Sequence, residues 1–148
     1  MTRVAVLEPG RCKCGLVLAE LQLGLGREGH VLVPEAVEPW LEQWNQDEAL
    51  DRILIGDGTG SRAWIKRLER LGQLTVVPEQ GTTLRARQRY WTLWPARGWR
   101  RVLPAGLRIP PVDLDAVAAL VMLEEHLQCR LRWPELAPTF SLRTWPEP

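Results

Sequence analysis

No apolar stretch in this chain approaches the roughly 20 residues needed to cross a bilayer. Residues 1–20 also lack the apolar core of a secretory signal, because Glu8, Arg11 and Lys13 interrupt it. Both absences lead us to expect a cytosolic protein with no membrane partner. Cysteine is scarce. Cys12, Cys14 and Cys129 are an odd number, which argues against a disulfide framework. Cys12-x-Cys14 has no second Cys/His pair nearby to complete a zinc site. The two histidines, His30 and His126, stand in no ligand pattern, and a hydrogen-bonded structural role is expected for both. Acid is missing altogether from residues 80–112.

What is present suits one ordinary domain. The 148 residues are 45% hydrophobic and 25% charged, enough for a packed core and a solvated surface. The net charge of +1 hides an uneven distribution. Residues 1–79 carry 9 basic and 12 acidic side chains, the acid-free window carries 7 arginines, and residues 113–148 carry 3 basic and 6 acidic side chains.

Val4-Ala5-Val6-Leu7 reads as a buried strand stopped by Glu8-Pro9-Gly10. Gly15 to Leu23 and Gly29 to Val33 follow as second and third strands, with glycine-bearing links that suggest an antiparallel meander. Residues 35–50 change to helical spacing through Val37, Trp40, Leu41 and Trp44. Ile53 to Gly56 is a fourth strand, residues 61–71 an amphipathic helix, and Leu74 to Val77 a fifth strand ending in Pro78-Glu79. Thr82 or Thr83 suits the cap of a helix running to about Trp94. Residues 95–111 read as a loop, and a last helix opens at Asp113 or Asp115. The expected fold is therefore α/β: a three-layer, RNase H-like arrangement with a mixed five-stranded sheet, strands one to three antiparallel, and helices on both faces. We expect the domain to span residues 1–128 and a proline-rich, irregular tail to occupy 129–148.

The acids fall at element ends. Glu8 ends strand one, Asp57 follows strand four, Glu79 follows strand five, and Asp113 and Asp115 begin the last helix. Strands one, four and five are expected to run parallel, so their acids converge at one sheet edge, where α/β sheets bind ligands. Crowded carboxylates repel, and a divalent cation removes that cost. Glu8, Glu79 and Asp115 are the main candidates as metal ligands and catalytic groups. Asp57 and Asp113 are auxiliary candidates, although a turn suits Asp57 and helix capping suits Asp113.

The same segments resemble the YqgF/RuvX family, related to the RuvC junction resolvases. Leu7-Glu8-Pro9-Gly10-Arg11-Cys12-Lys13-Cys14-Gly15-Leu16 is similar to the family's opening Asp-x-Gly, basic residue and apolar strand. Ile53 to Gly58 is similar to its central glycine motif, Val77 to Thr83 to its acidic Glu-Arg-x-Thr-Thr motif, and Asp115 to Ala119 to its Asp-x-x-Ala-Ala helix start. These segments keep the family's order over residues 3–128. The Trp- and Arg-rich stretch Tyr90 to Pro111 resembles a cyanobacterial branch. The resemblance implies an RNase H-like fold and endonuclease chemistry with Mg²⁺ or Mn²⁺. It further implies a substrate of structured RNA, such as precursor 16S ribosomal RNA, or branched DNA. Two positions depart from the pattern. Glu8 stands where the family has Asp, which displaces the carboxylate by about 1.5 Å, and a misplacement of about 1 Å can cost roughly a hundredfold in rate. Gln80 stands where the family has Arg. An alternative is thus a catalytically weakened nucleic-acid-binding protein derived from such a nuclease.

The acid-free window holds Arg85, Arg87, Arg89, Arg97, Arg100, Arg101 and Arg108, interleaved with Tyr90, Trp91, Trp94 and Trp99. The first six are the candidate nucleic-acid contacts, since the guanidinium fork suits phosphate. Tryptophan can stack on unpaired bases, but Trp91 and Trp94 read better as core anchors. Gly56-Asp57-Gly58-Thr59-Gly60 loosely suggests a nucleotide phosphate loop but lacks the Walker lysine. The oligomeric state is left open.

Overall fold

A computed structural model describes residues 3–58, 60–133 and 140–141, the last two by backbone alone. Thr59 and the tail prolines Pro134, Pro138, Pro146 and Pro148 lie outside the described residues.

The element order follows the apolar pattern of the sequence. Strand β1 (Arg3–Glu8) pairs antiparallel with β2 (Cys14–Glu20), and β2 pairs antiparallel with β3 (Leu25–Leu32). Helix α1 (Val37–Asp47) leads into β4 (Arg52–Gly56), which runs parallel to β1. Helix α2 (Ser61–Leu68) connects to β5 (Leu74–Val77), parallel to β4. Helices α3 (Thr82–Leu93) and α4 (Asp115–Leu127) are separated by a strap containing short 3-10 turns at Gly98–Val102 and Ala105–Leu107. A two-residue strand, β6 (Phe140–Ser141), lies parallel to β3. The sheet order is β5-β4-β1-β2-β3-β6.

Alternation along the strands builds two cores. Ala5, Leu7, Leu16, Leu18, Ile53 and Ile55 face α1 and α2, where Leu41, Trp44, Trp64 and Leu68 cover them. Val4, Val6, Val17 and Leu54 face α4, whose Ala116, Ala119, Leu120 and Leu123 lie against the sheet. Burying one such Leu, Ile or Val contributes about 1.5–3 kcal/mol. Helix α3 then packs on the outside of α4 through Ala86 and Tyr90 against Val117, Ala118 and Val121. Among the described residues, no helix is long and apolar enough to cross a membrane.

Four expectations need correction. The sheet has a sixth strand. Strand β3 begins at Leu25, not Gly29, because Arg27 bulges out between Glu28, opposite Leu18, and Gly26, opposite Ala19, and pairing continues to Leu25. Neither Thr82 nor Thr83 caps α3. Its cap is Gly81 in the left-handed region (φ 73°), while the Thr82 hydroxyl donates to the Glu79 carbonyl at 2.7 Å. Packing also continues past residue 128. Leu131 and Trp133 are buried in the α4-side core, the Gly26 N–H donates to the Arg132 carbonyl, and the Arg132 N–H donates to the Gly24 carbonyl, each at 2.8 Å.

Candidate carboxylate site

The ends of β1, β4 and β5 lie side by side, so Glu8 and Glu79 flank Gly56 at the same edge of the sheet. Two strand spacings of about 4.8 Å separate their backbones, and both side chains are long enough to reach inward. Glu79 does so over two glycines. A Cβ at Gly56 or at Gly58 would collide with the Glu79 carboxylate. The Gly-Asp-Gly segment is therefore a cradle for Glu79. Asp57, between the glycines, accepts the Glu79 backbone N–H at 3.1 Å. This is the turn role, and it fixes where Glu79 emerges.

Asp115 arrives from the other direction. Gly15 is the cross-strand partner of Glu8, and a Cβ there would fall on the Asp115 carbonyl. The bare backbone at Gly15 lets the first turn of α4 settle onto β2 beside Glu8. Glu8 and Asp115 line one small cleft of about 110 Å³ together with Thr83, Leu114 and Ala118. Asp113 is bound elsewhere. It pairs with the Lys13 ammonium at 2.6 Å, and α4 takes Leu114 as its cap residue.

The electrostatics match this crowding. Burial pushes the Glu8 carboxyl up to about 8, with the charges of Asp115 and Glu79 adding to the rise. Burial also raises Asp115, opposed by the positive charge of Lys13. Glu79 is raised by burial and by Asp57. Glu8 Oε2 and Glu79 Oε2 are both buried without a hydrogen-bond partner among the described residues, an arrangement that costs about 1–3 kcal/mol for each neutral group and more for a charge. As they stand, no three His, Cys, Asp or Glu side chains among the described residues close around one point tightly enough to enclose a metal ion. Mg²⁺ does not require such a cage, because it is commonly held by one or two carboxylates with water and substrate phosphate completing its shell. Two orphaned carboxylate oxygens are the hard donors it prefers.

Sequence reasoning overlooked two residues here. Thr83 lines the cleft, and Lys13 is the cation that restrains Asp115. Both stand in segments already quoted, but nothing in their spacing shows that they face the acids. Cys14 is buried nearby with its thiol pushed up to about 11, so it is inert.

The arginines divide into two groups. The window without acid in sequence meets acid in space, because α4 lies alongside α3. Arg89 forms a fork with both oxygens of Glu124, at 2.9 and 2.8 Å, and both side chains are about nine-tenths buried. Arg89 also donates to the Leu131 carbonyl. Arg85 pairs with Glu125. Arg87 donates to the carbonyls of Gly106 (2.6 Å) and Arg108 (3.2 Å). Arg89 braces the fold from within, while Arg85 and Arg87 make their bonds nearer the surface. A groove of about 670 Å³ runs along this ion-pair network, lined by Arg85, Arg89, Glu124 and Glu125. Arg97 and Arg101 are exposed, and Arg100 stacks over the Trp99 ring at 4.8 Å. His30 bonds to Glu28 at 2.8 Å and stacks on Trp40. Compared with known proteins, the chain matches no family model and no curated sequence.

Proposed function

We propose that this chain is a cytoplasmic, metal-dependent endonuclease of RNase H-like build that acts on structured nucleic acid, either branched DNA or precursor 16S ribosomal RNA, as its resemblance to the YqgF/RuvX family implies. The observation that supports the reading is the placement of Glu8, Glu79 and Asp115. They come from the ends of two parallel strands and the start of a helix, share one end of the sheet, and include two buried oxygens without a hydrogen-bond partner among the described residues. Glu8 and Asp115 on one side and Glu79 on the other would hold Mg²⁺ or Mn²⁺. Bound there, the ion supplies Lewis-acid stabilisation to a phosphodiester. The protein supplies a fixed frame: Gly56 and Gly58 make room for Glu79, Asp57 and Thr82 hold its backbone, and Gly15 seats Asp115.

A second reading has its own support. With its carboxyl pushed up to about 8, Glu8 is largely protonated near neutral pH and must release a proton before it can ligate a cation. That favours a weakened site on a nucleic-acid-binding protein. A cleavage assay separates the two. Purified protein is incubated with branched DNA and with precursor ribosomal RNA, in Mg²⁺ and in Mn²⁺. Cutting by the wild type, lost in Asp115→Asn, supports the nuclease. A wild type that cuts nothing with either ion, beside a Glu8→Asp variant that does, establishes the weakened site.

A further inference from the structure

The strap between α3 and α4 folds back on the end of α3 and forms a second cleft. Its position is fixed from within. Trp91 Nε1 donates to the Arg108 carbonyl at 3.1 Å, Arg87 donates to two strap carbonyls, and Arg108 donates to the carbonyls of Leu103 and Arg101 at 3.0 Å each. Between strap and helix lies a cleft of about 300 Å³ walled by Tyr90, Trp91, Trp94 and Pro111, with Arg97 and Arg100 also lining it. The three rings brace one another. Tyr90 meets Trp91 edge-on at 4.8 Å and Trp94 at 5.3 Å. Trp91 and Trp94 are only half-buried, so ring surface is left for a ligand. Arg100 is near enough to Tyr90 for its charge to oppose the effect of burial on the phenol. Among the described residues, no acidic side chain lines the cleft.

We propose that this cleft captures a single unpaired nucleotide of the substrate, its base against the Trp91 and Trp94 rings that Tyr90 backs, and its phosphate on Arg97 and Arg100. The proposal rests on the nucleic-acid reading above and specifies the substrate as one with a base out of its stack. Flat aromatic walls suit a base of any identity, because every base has a π-face. Two cations and no anion suit the phosphate beside it. An apolar peptide would find the walls but have no use for the paired guanidiniums. The distance is also suitable. Thr83, in the carboxylate cleft, and Tyr90, in the aromatic one, are two helical turns apart on α3, about 10 Å. A strand whose phosphate lies at the carboxylates would therefore reach the aromatic cleft within a few nucleotides. The two clefts share the packing between α3 and α4, since Leu114 and Ala118 line the first and pack in the cluster that holds Tyr90, Trp91 and Trp94.

The test uses the full chain in EDTA, with binding read by tryptophan fluorescence. The probes are a blunt duplex, the same duplex with one unpaired nucleotide, and a third in which that nucleotide lacks its base. The unpaired base should tighten binding roughly tenfold or more over the abasic probe. Arg97→Ala/Arg100→Ala should weaken binding of both probes that carry the unpaired nucleotide, since the abasic one keeps its phosphate, while melting at the wild-type temperature, since neither residue is in the core. Equal affinity for all three probes, with Mg²⁺-dependent cutting intact, overturns the base pocket alone. A protein that binds none of them and cuts nothing overturns both the pocket and the nuclease reading.

Discussion

Gly15 and Asp115 meet backbone to backbone, and that approach brings the Asp115 carboxyl beside Glu8. Gly15→Ala puts a methyl group where the Asp115 carbonyl stands, and a clash with backbone cannot be relieved by turning a side chain. We expect a loss of about 1–3 kcal/mol in denaturant unfolding, with α4 displaced and any metal response weakened. Gly58→Ala should act more locally, because the group it meets is the movable end of Glu79. Equal unfolding midpoints for Gly15→Ala and wild type would show that α4 does not depend on this contact.

Stability should fall as pH rises from about 5 to about 8. Glu8 keeps its proton in the fold up to about 8, against an ordinary 4.5. Over that interval the folded state binds more protons than the unfolded one, so each rise in pH favours unfolding. Below the interval both states are protonated, and above it the full cost of a buried charge is felt. Glu8→Gln removes the titration. It should flatten the slope and exceed wild-type stability near pH 8 by roughly 1–3 kcal/mol. A wild-type slope retained in Glu8→Gln would assign the titration to Asp115 or Glu79.

Metal should reverse that cost. Mn²⁺ or Mg²⁺ binding to the carboxylates displaces the Glu8 proton, so the ion should raise the melting temperature more at about pH 8.5 than at about pH 6. Glu8→Gln and Asp115→Asn should each reduce the gain. Thermal melts with and without the ion provide the measurement, independently of catalysis. An unchanged melting temperature at both pH values would count against a metal site.

Arg89 and Arg85, one helical turn apart, should behave very differently. Arg89→Ala strands the buried Glu124 carboxylate and should cost about 3–5 kcal/mol. Arg85→Ala breaks a surface pair with Glu125 and should cost no more than about 1 kcal/mol. Parallel urea titrations compare them. Similar midpoints would mean that the Arg89–Glu124 fork carries no structural weight.

The order of elements was legible because each strand is a short apolar run closed by Gly, Pro or acid, and the acids sit at those closures. That was enough to bring Glu8, Glu79 and Asp115 to one end of the sheet. The contacts that shape the site were not legible. Nothing local to Gly58 says that Glu79 folds over it, and nothing in residues 80–112 says that Glu124, 35 positions beyond Arg89, neutralises it. The tail misled for a related reason. Its prolines suggest irregularity, yet Leu131 and Trp133 are core residues and Phe140–Ser141 pair with β3, long-range choices that leave no periodic trace.

The pairing of β6 with β3 has a consequence for biosynthesis. Leu131, Trp133, Phe140 and Ser141 emerge from the ribosome after the elements they meet, so β3 waits with an open edge, and the α4-side core waits without Trp133, until they appear. An unpaired strand edge recruits other chains, and this one runs through Val31 and Leu32. Nascent chains stalled before residue 131 should therefore be the form of this protein most in need of a chaperone.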